Sequence, residues 1–368
     1  MKPLSVRITE ANAMLAPYAV PHGTGLGRVY SEPEDKTRFP FQRDRDRIIH
    51  TQAFRRLKHK TQVFVSGHGD HYRTRITHTL EVAQLSRDIA RTLGLNEDLA
   101  EAIALAHDLG HTPFGHAGEE AMHESMKLFS KRFEHNEQSL RIVSFLEERS
   151  TAYAGLNLSG EILEGLVKHG ASPSGRSPSL EAQVVNLADE IAYTAHDTDD
   201  GLRAGQFQRN DIEKTKLGKM ASVRAKSSGS ELRGAIVDLL VTDLYQETER
   251  RLTQQKIQSL NDVYKAQAEL VGFSVSMMRQ TKELRKFLWD RLYKSPSVLR
   301  QAARGKRIIT KLFTAYMKSP PAKVKALQKK TGGTREEAVK DYIAGMTDTY
   351  AISSRYVSLR STTRTDIP

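Results

Sequence analysis

The sequence predicts an all-α protein, and three observations carry that prediction. From Phe41 onward, apolar residues recur at three- and four-residue spacing, the period of a helix with one buried face. No stretch of useful length alternates apolar and polar residues as a half-buried strand does. Glycine and proline punctuate the periodic runs, as at Gly94, Gly110, Pro296 and Pro320–Pro321, where helices stop.

The elements follow in order. Residues 1–27 mix Pro, Gly and small residues without sustained periodicity and read as a loose arm. Ile48, Ile49, Ala53, Phe54 and Leu57 then share one helical pattern. Thr77 to Leu93 gives a second helix, apolar at Leu80, Ala83, Leu85, Ile89, Ala90 and Leu93, and stopped by Gly94. Asn96 caps a third, running through Leu99, Ile103, Leu105 and Ala106 to Leu109 and closed by Gly110. Further helices are expected near 134–150, 160–169 and 180–198. Gly170–Ser179 and Ser227–Ser230 read as surface loops. Beyond Leu232 the pattern is long-helical, interrupted near Ser295–Pro296 and at Pro320–Pro321.

Composition narrows the chemistry. With 368 residues, 38% hydrophobic and 27% charged, the chain can bury a sizeable core. It has no cysteine, which excludes disulfides, thiolate metal sites and a cysteine nucleophile. Any metal must be held by His, Asp and Glu. No stretch approaches the roughly 20 apolar residues of a membrane helix, and the start, Met-Lys-Pro-Leu-Ser-Val-Arg-Ile-Thr-Glu, lacks the apolar run of a signal peptide. A cytoplasmic protein with no membrane partner is expected. The net charge of +12 is uneven: Lys282 to Lys330 holds 15 Lys/Arg against Glu283 and Asp290. Segment 282–330 reads as a surface for polyanions; the plainer reading is a solvated or subunit-facing helix face.

Ten of the 13 histidines fall between His50 and His135, where an even spread would give about three. A lone histidine is more often structural than a ligand, and His22, His50 and His123 keep that reading. The stretch Ala106-His-Asp-Leu-Gly-His-Thr-Pro-Phe-Gly-His116-Ala-Gly-Glu119 differs. His107 and Asp108 close an otherwise apolar helix, and burying both groups is costly unless they are paired or bind a metal. Helix neighbours point about 100° apart, so both reach one ion only near a terminus or from a flank. His78 and Asp189 also sit in apolar helical settings. Two imidazoles and two carboxylates suit a divalent metal: Mn²⁺ or Mg²⁺ first, with Fe²⁺, Ni²⁺ and Zn²⁺ compatible. Four such ligands leave open positions, as hydrolysis needs. A purely structural metal is the alternative.

The ordered pattern His78, His107-Asp108, Asp189 resembles the HD superfamily of metal-dependent phosphohydrolases. More narrowly, the chain resembles the deoxyguanosine triphosphate triphosphohydrolase-like proteins. The resemblance spans nearly the whole chain. It includes Phe41-Gln-Arg-Asp-Arg-Asp-Arg-Ile-Ile-His50, Ala53-Phe-Arg-Arg-Leu-Lys58, Lys60-Thr-Gln-Val-Phe64 and Arg73-Thr-Arg-Ile-Thr-His78. It continues through Ala106–His116, Phe133-Glu-His-Asn136 and Asp341-Tyr-Ile-Ala-Gly-Met-Thr-Asp348. It implies an N-terminal arm (1–40), an HD-type helical catalytic core (41–225) and C-terminal helices packing on that core (226–368).

It also implies an activity: metal-dependent hydrolysis of deoxynucleoside triphosphates to deoxynucleoside and tripolyphosphate, by water attack at the α-phosphorus. By similarity His78, His107, Asp108 and Asp189 hold the metal. His116 and Glu119 form the catalytic pair, and a carboxylate three residues on can orient the imidazole. His135 matches a further active-site histidine. Arg75 matches a phosphate-binding arginine, with a surface salt bridge as its plainer reading. His111 is left between a structural hydrogen bond and a phosphate contact. Asp189, Tyr193 and Asp197 share a helix face. Tyr193 would pack under the sugar where a 2′-hydroxyl would clash, and Asp197 and Gln62 would bind the 3′-hydroxyl; a core aromatic is the plain reading of Tyr193. The resemblance implies a homo-oligomer and allows single-stranded DNA or a regulatory nucleotide as partner. The rival readings are an HD phosphohydrolase of another nucleotide, or a nucleic-acid-binding regulatory protein with a vestigial site.

Overall fold

In the computed structural model of the chain, the described residues are 2–23, 25–62, 73–167 and 178–354. They form helices, and among them no strand, only the isolated bridges Thr61–Thr74 and Glu148–Gly155. The protein is all-α. In chain order the helices are α1 (Leu4–Asn12), α2 (Pro40–Ile49), α3 (Gln52–Arg56), α4 (Arg75–Thr92), α5 (Glu97–Ala106) and α6 (Gly115–Lys127). Then come α7 (His135–Arg141), α8 (Gly160–Gly165), α9 (Leu180–Arg203), α10 (Arg209–Ile212), α11 (Lys216–Ser228) and α12 (Leu232–Gln254). The last are α13 (Leu260–Lys265), α14 (Val275–Leu288), α15 (Pro296–Lys318), α16 (Ala322–Thr331) and α17 (Arg335–Ala344). No helix among the described residues is long and apolar enough to cross a membrane.

The chain divides into two compact units, each discontinuous in sequence. The first comprises Met1–Ile49, His78–Ala106 and Asn157–Ser295; the second comprises His50–Thr77, His107–Leu156 and Pro296–Pro368.

The first unit is organised around α5. Seven of its ten residues, Leu99, Ala100 and Ala102 through Ala106, are buried, so the helix is enclosed by α2, α8 and α9. Asn96 caps it as expected, its Oδ1 accepting the Leu99 N–H at 3.3 Å. Gly94 ends α4 with φ +69, a conformation that favours glycine. The N-terminal residues are not the loose arm that their lack of periodicity suggested. α1 is helical, Ala19 and Val20 are buried, and the Val20 N–H donates to Glu181 at 2.9 Å. Those anchors are single polar contacts to distant residues, which leave no periodic trace.

The second unit has its own core, where Phe114, Met122 and Met126 meet Ile308, Leu312 and Phe313. α15 buries one face here, including Ile308, Ile309, Leu312, Phe313 and Tyr316; each such side chain contributes roughly 1.5–3 kcal/mol.

Several boundaries differ from the sequence expectation. The pattern from Ile48 to Leu57 breaks at His50, because Thr51 caps a new helix by accepting the Phe54 N–H at 3.0 Å. The third helix stops at Ala106 rather than Leu109. Gly110 is there for space: a β-carbon on it would lie 2.1 Å from the His135 carbonyl oxygen. Ser227 and Ser228 still belong to α11, which ends on Gly229 with φ +66. The expected 134–150 helix is α7 followed by a wider turn over Ile142–Leu146. The 160–169 helix is α8; Lys168 and His169 lie outside the described residues, as does 170–177 of the expected Gly170–Ser179 loop.

Candidate active site

In the first unit, α4 carries His78 and α9 carries Asp189, and the fold brings them together: His78 Nε2 lies 3.0 Å from Asp189 Oδ1. Glu81, one turn after His78, lies 2.5 Å from His196 Nε2 on α9 and accepts from Arg233 of α12 at 3.2 Å. The helix bearing His78 is thereby tied to two neighbours by a charged network.

In the second unit, His107 and Asp108 occupy the turn that follows α5, just past the helix end, where successive residues escape the 100° helical offset. His107 Nε2 is 3.2 Å from Asp108 Oδ1. Asp108 also receives Arg75 Nη1 at 2.7 Å and faces His111 Nε2 at 3.2 Å. Burial pushes the Asp108 carboxyl up, but His107, Arg75 and His111 outweigh it and hold the group well below the ordinary carboxylate range. Arg75 is therefore no surface residue. It is 2% exposed and paired with Asp108, and its Nε has no hydrogen-bond partner among the described residues. Each unit thus offers an imidazole–carboxylate pair, a donor set that fits a divalent cation.

Beside Asp108 the second unit gathers the expected acid–base residues. Glu119 Oε1 accepts the His135 backbone N–H at 2.8 Å and lies 2.8 Å from His135 Nδ1. Glu119 Oε2 lies 3.4 Å from His116 Nδ1 and 3.9 Å from His111 Nδ1. The His111 and His135 rings stack at 3.9 Å. Burial acts to raise the Glu119 carboxyl, but hydrogen bonds from His116 and His135, together with the nearby His111 and His135 rings, outweigh it and hold the group ionised well below the usual range. Burial, then Arg75 and His135, push His111 well below its ordinary value, so its ring is neutral despite facing Asp108. The His116 side chain is 81% exposed, an accessible imidazole on a half-buried carboxylate. Asp108, His111 and His135, and likewise His111, His116 and Glu119, are groups whose donor atoms could hold a metal.

In the first unit, Tyr193 and Asp197 follow Asp189 on α9. Asp197 accepts a hydrogen bond from the Tyr293 hydroxyl; burial and then Asp197 push that phenol well above its ordinary value. Tyr193 is half-buried, not sealed in the core, and the Arg285 guanidinium lies 5.0 Å from its ring centroid while also pairing with Glu190 at 2.8 Å. Gln62, in the second unit, has a buried Oε1 with no hydrogen-bond partner among the described residues. Val63 and Phe64 of its motif lie outside them.

Tyr293 and Arg285 were missed in the sequence because they fall in the segment read as a polyanion surface. Arg285 lies on α14 and Tyr293 in the wider turn that follows it, so no regular spacing joined them to Tyr193 and Asp197. His22 is enclosed by Phe39 and Phe41, and His123 Nδ1 lies 3.1 Å from the Phe133 carbonyl oxygen, while His50 is exposed. All three fit the structural or surface reading.

Residues 75–194 match the HD domain family, and residues 271–355 match the phosphohydrolase-associated domain. The chain is 46% identical to the deoxyguanosinetriphosphate triphosphohydrolase-like protein of Azoarcus sp. (strain BH72), covering 94% of this chain and 97% of that one. It is also 46% identical to the proteins of the same description from Brucella anthropi (92% and 93% covered) and Ralstonia nicotianae (92% and 92%).

Proposed function

Because the chain belongs to the deoxyguanosinetriphosphate triphosphohydrolase-like family of HD-domain phosphohydrolases, we propose that it hydrolyses deoxynucleoside triphosphates at the α-phosphorus. The products are a deoxynucleoside and intact tripolyphosphate. The observation that carries this reading is the Glu119 group: a half-buried, ionised carboxylate aligning an exposed imidazole, His116, beside the stacked pair His111 and His135. That is a proton-transfer device with one accessible end.

In this reading His78, His107, Asp108 and Asp189 hold one divalent cation, Mn²⁺ or Mg²⁺ first. Two imidazole–carboxylate pairs support that set. The bound cation supplies Lewis-acid stabilisation of charge on the phosphoryl group. Water adds to the α-phosphorus as the bond to the 5′-oxygen breaks; the hydroxyl stays with tripolyphosphate and the 5′-oxygen leaves with a proton. His116 handles that proton traffic, with Glu119 fixing its orientation. Arg75 meets phosphate through its unpartnered Nε. Tyr193 packs under the sugar, and Asp197, steadied by Tyr293, reads the 3′-hydroxyl with Gln62. Single-stranded DNA or a regulatory nucleotide is the further partner, the assembly is a homo-oligomer, and the setting is cytoplasmic.

The test is product analysis with each dNTP and rNTP, with Mn²⁺ or Mg²⁺. Tripolyphosphate and deoxynucleoside are expected from dNTPs, with rNTPs poor substrates. Orthophosphate would move the chain to the rival phosphohydrolase reading, and nucleotide binding without turnover to the regulatory one. In parallel, His107→Ala should lose both bound metal, by elemental analysis, and hydrolysis; full activity in that variant would overturn the metal assignment.

A further inference from the structure

Phe114 is a non-glycine residue with φ +65, immediately before α6. A β-carbon in the left-handed region is strained against its own backbone and persists only where its surroundings over-determine it. Here they do. The Phe114 N–H donates to Asp348 Oδ1 at 3.0 Å. From the other side Phe114 lies against Gly305 of α15, where a β-carbon would come 2.7 Å from Phe114 Cβ. The second Asp348 oxygen accepts from the Thr61 N–H at 3.1 Å and from the Thr61 hydroxyl. Next to Thr61, the buried Lys60 Nζ donates to the carbonyl oxygens of His111, at 2.5 Å, and Ala344, at 2.9 Å. Residues 60–61, 111–114 and 344–348 are therefore knotted together by the hydrogen bonds of two buried side chains, Lys60 and Asp348.

That knot sits at the root of α6, whose first turn carries His116 and whose next carries Glu119. A small change in the Phe114 dihedral swings both side chains relative to His135, which stands on α7. We propose that Asp348 is a positioning residue: it clamps Phe114 in the left-handed conformation and so sets the direction of α6 and the alignment of Glu119, carried on α6, with His135 on α7. Its catalytic consequence rests on the reading of that group as the proton-transfer device. Its structural consequence does not. A carboxylate is needed because it accepts from Phe114 and Thr61 together; an amide of the same shape would turn a donor toward one of them.

Asp348→Asn tests this. The ¹⁵N imidazole shift of His135 reports its hydrogen bond to Glu119 without substrate, and that of His116, which moves with Glu119 on α6, is the internal reference. In Asp348→Asn the His135 shift should move toward that of Glu119→Gln; a His135 shift that stays as in wild type overturns the proposal. With dNTP substrate, kcat should fall on the order of a hundredfold, as ångström-scale misplacement does, while KM and metal affinity stay within about threefold. Unchanged kcat in an active background, or a parallel loss of kcat and metal affinity, also overturns it. If wild type hydrolyses no dNTP, the proposed function fails and the His135 shift still judges the clamp. Should Asp348→Asn not fold, Gly305→Ala presses on Phe114 from the opposite side and is expected to move the His135 shift in the same way; a wild-type His135 shift there counts against the clamp.

Discussion

His22 shows how much one side chain can report about the part of the chain that carries it. The His22 backbone N–H donates to Asn12 Oδ1 at 2.8 Å, and Asn12 Nδ2 donates back to the His22 carbonyl oxygen at 3.0 Å, tying α1 to the segment that follows. Burial lowers its pKa to about 4, against about 6.5 in an unfolded chain. Between those values the unfolded chain holds a proton that the folded one refuses. The contribution is therefore complete above pH 6.5 and is lost as pH falls toward 4, by about 3 kcal/mol in all. His22→Gln removes that term. Urea denaturation at pH 7 and pH 4.5 should show wild type losing clearly more stability on acidification than the variant; equal losses would show that His22 does not titrate this way. At this scale the sequence was most legible where charge sat in apolar surroundings, as at His78, His107, Asp108 and Asp189. Lys60 and Tyr293 were not legible, since the partners that give them meaning lie 284 residues from Lys60 and 96 from Tyr293.

Among the helices, α15 changes the reading of the basic segment most. Upstream, its charges are locally balanced: Arg285 pairs with Glu190, and Lys286 and Lys294 with Asp290. On α15, Arg300, Arg304, Arg307, Lys311 and Lys318 fall on one exposed face opposite the buried row, and among the described residues none of the five has a carboxylate partner. They span about 27 Å at 1.5 Å per residue. We therefore place the expected polyanion contact on this face. Single-stranded DNA should bind with a steep salt dependence. Reversing Arg300, Arg304 and Arg307 to Glu should weaken binding and reduce the salt slope by about 2, at roughly 0.7 per phosphate contact. Salt-insensitive binding, or none at low salt, would count against it. The 3.6-residue period made α15 visible as a helix, and charge counting made it basic. Which of its charges were already satisfied depends on partners such as Glu120, paired with Lys306 at 2.5 Å, that no local window contains.

At the level of the whole molecule, the fold class followed from periodicity, but the division of the chain did not. Hydrophobic pattern says which residues are buried, not which distant segment buries them. The second unit joins 107–156 to the residues after 295, so Phe114, Met122 and Met126 depend on α15 and α17 for their core. A fragment ending at Ser295 should therefore bind a hydrophobic dye and aggregate, whereas the full chain should not. A fragment that stays monomeric and dye-free would show that the first two segments of that unit have another way to cover their apolar surface.

The same discontinuity acts while the protein is being made. Met122 emerges from the ribosome roughly 190 residues ahead of Ile308, and at synthesis rates of about 5–20 residues per second its partners arrive some 10–40 s later. For that interval the segment bearing His107, Asp108, His116 and Glu119 has no core to fold onto. In a chain with this topology the chemistry-bearing segment waits for the last part of the chain before its apolar residues are covered.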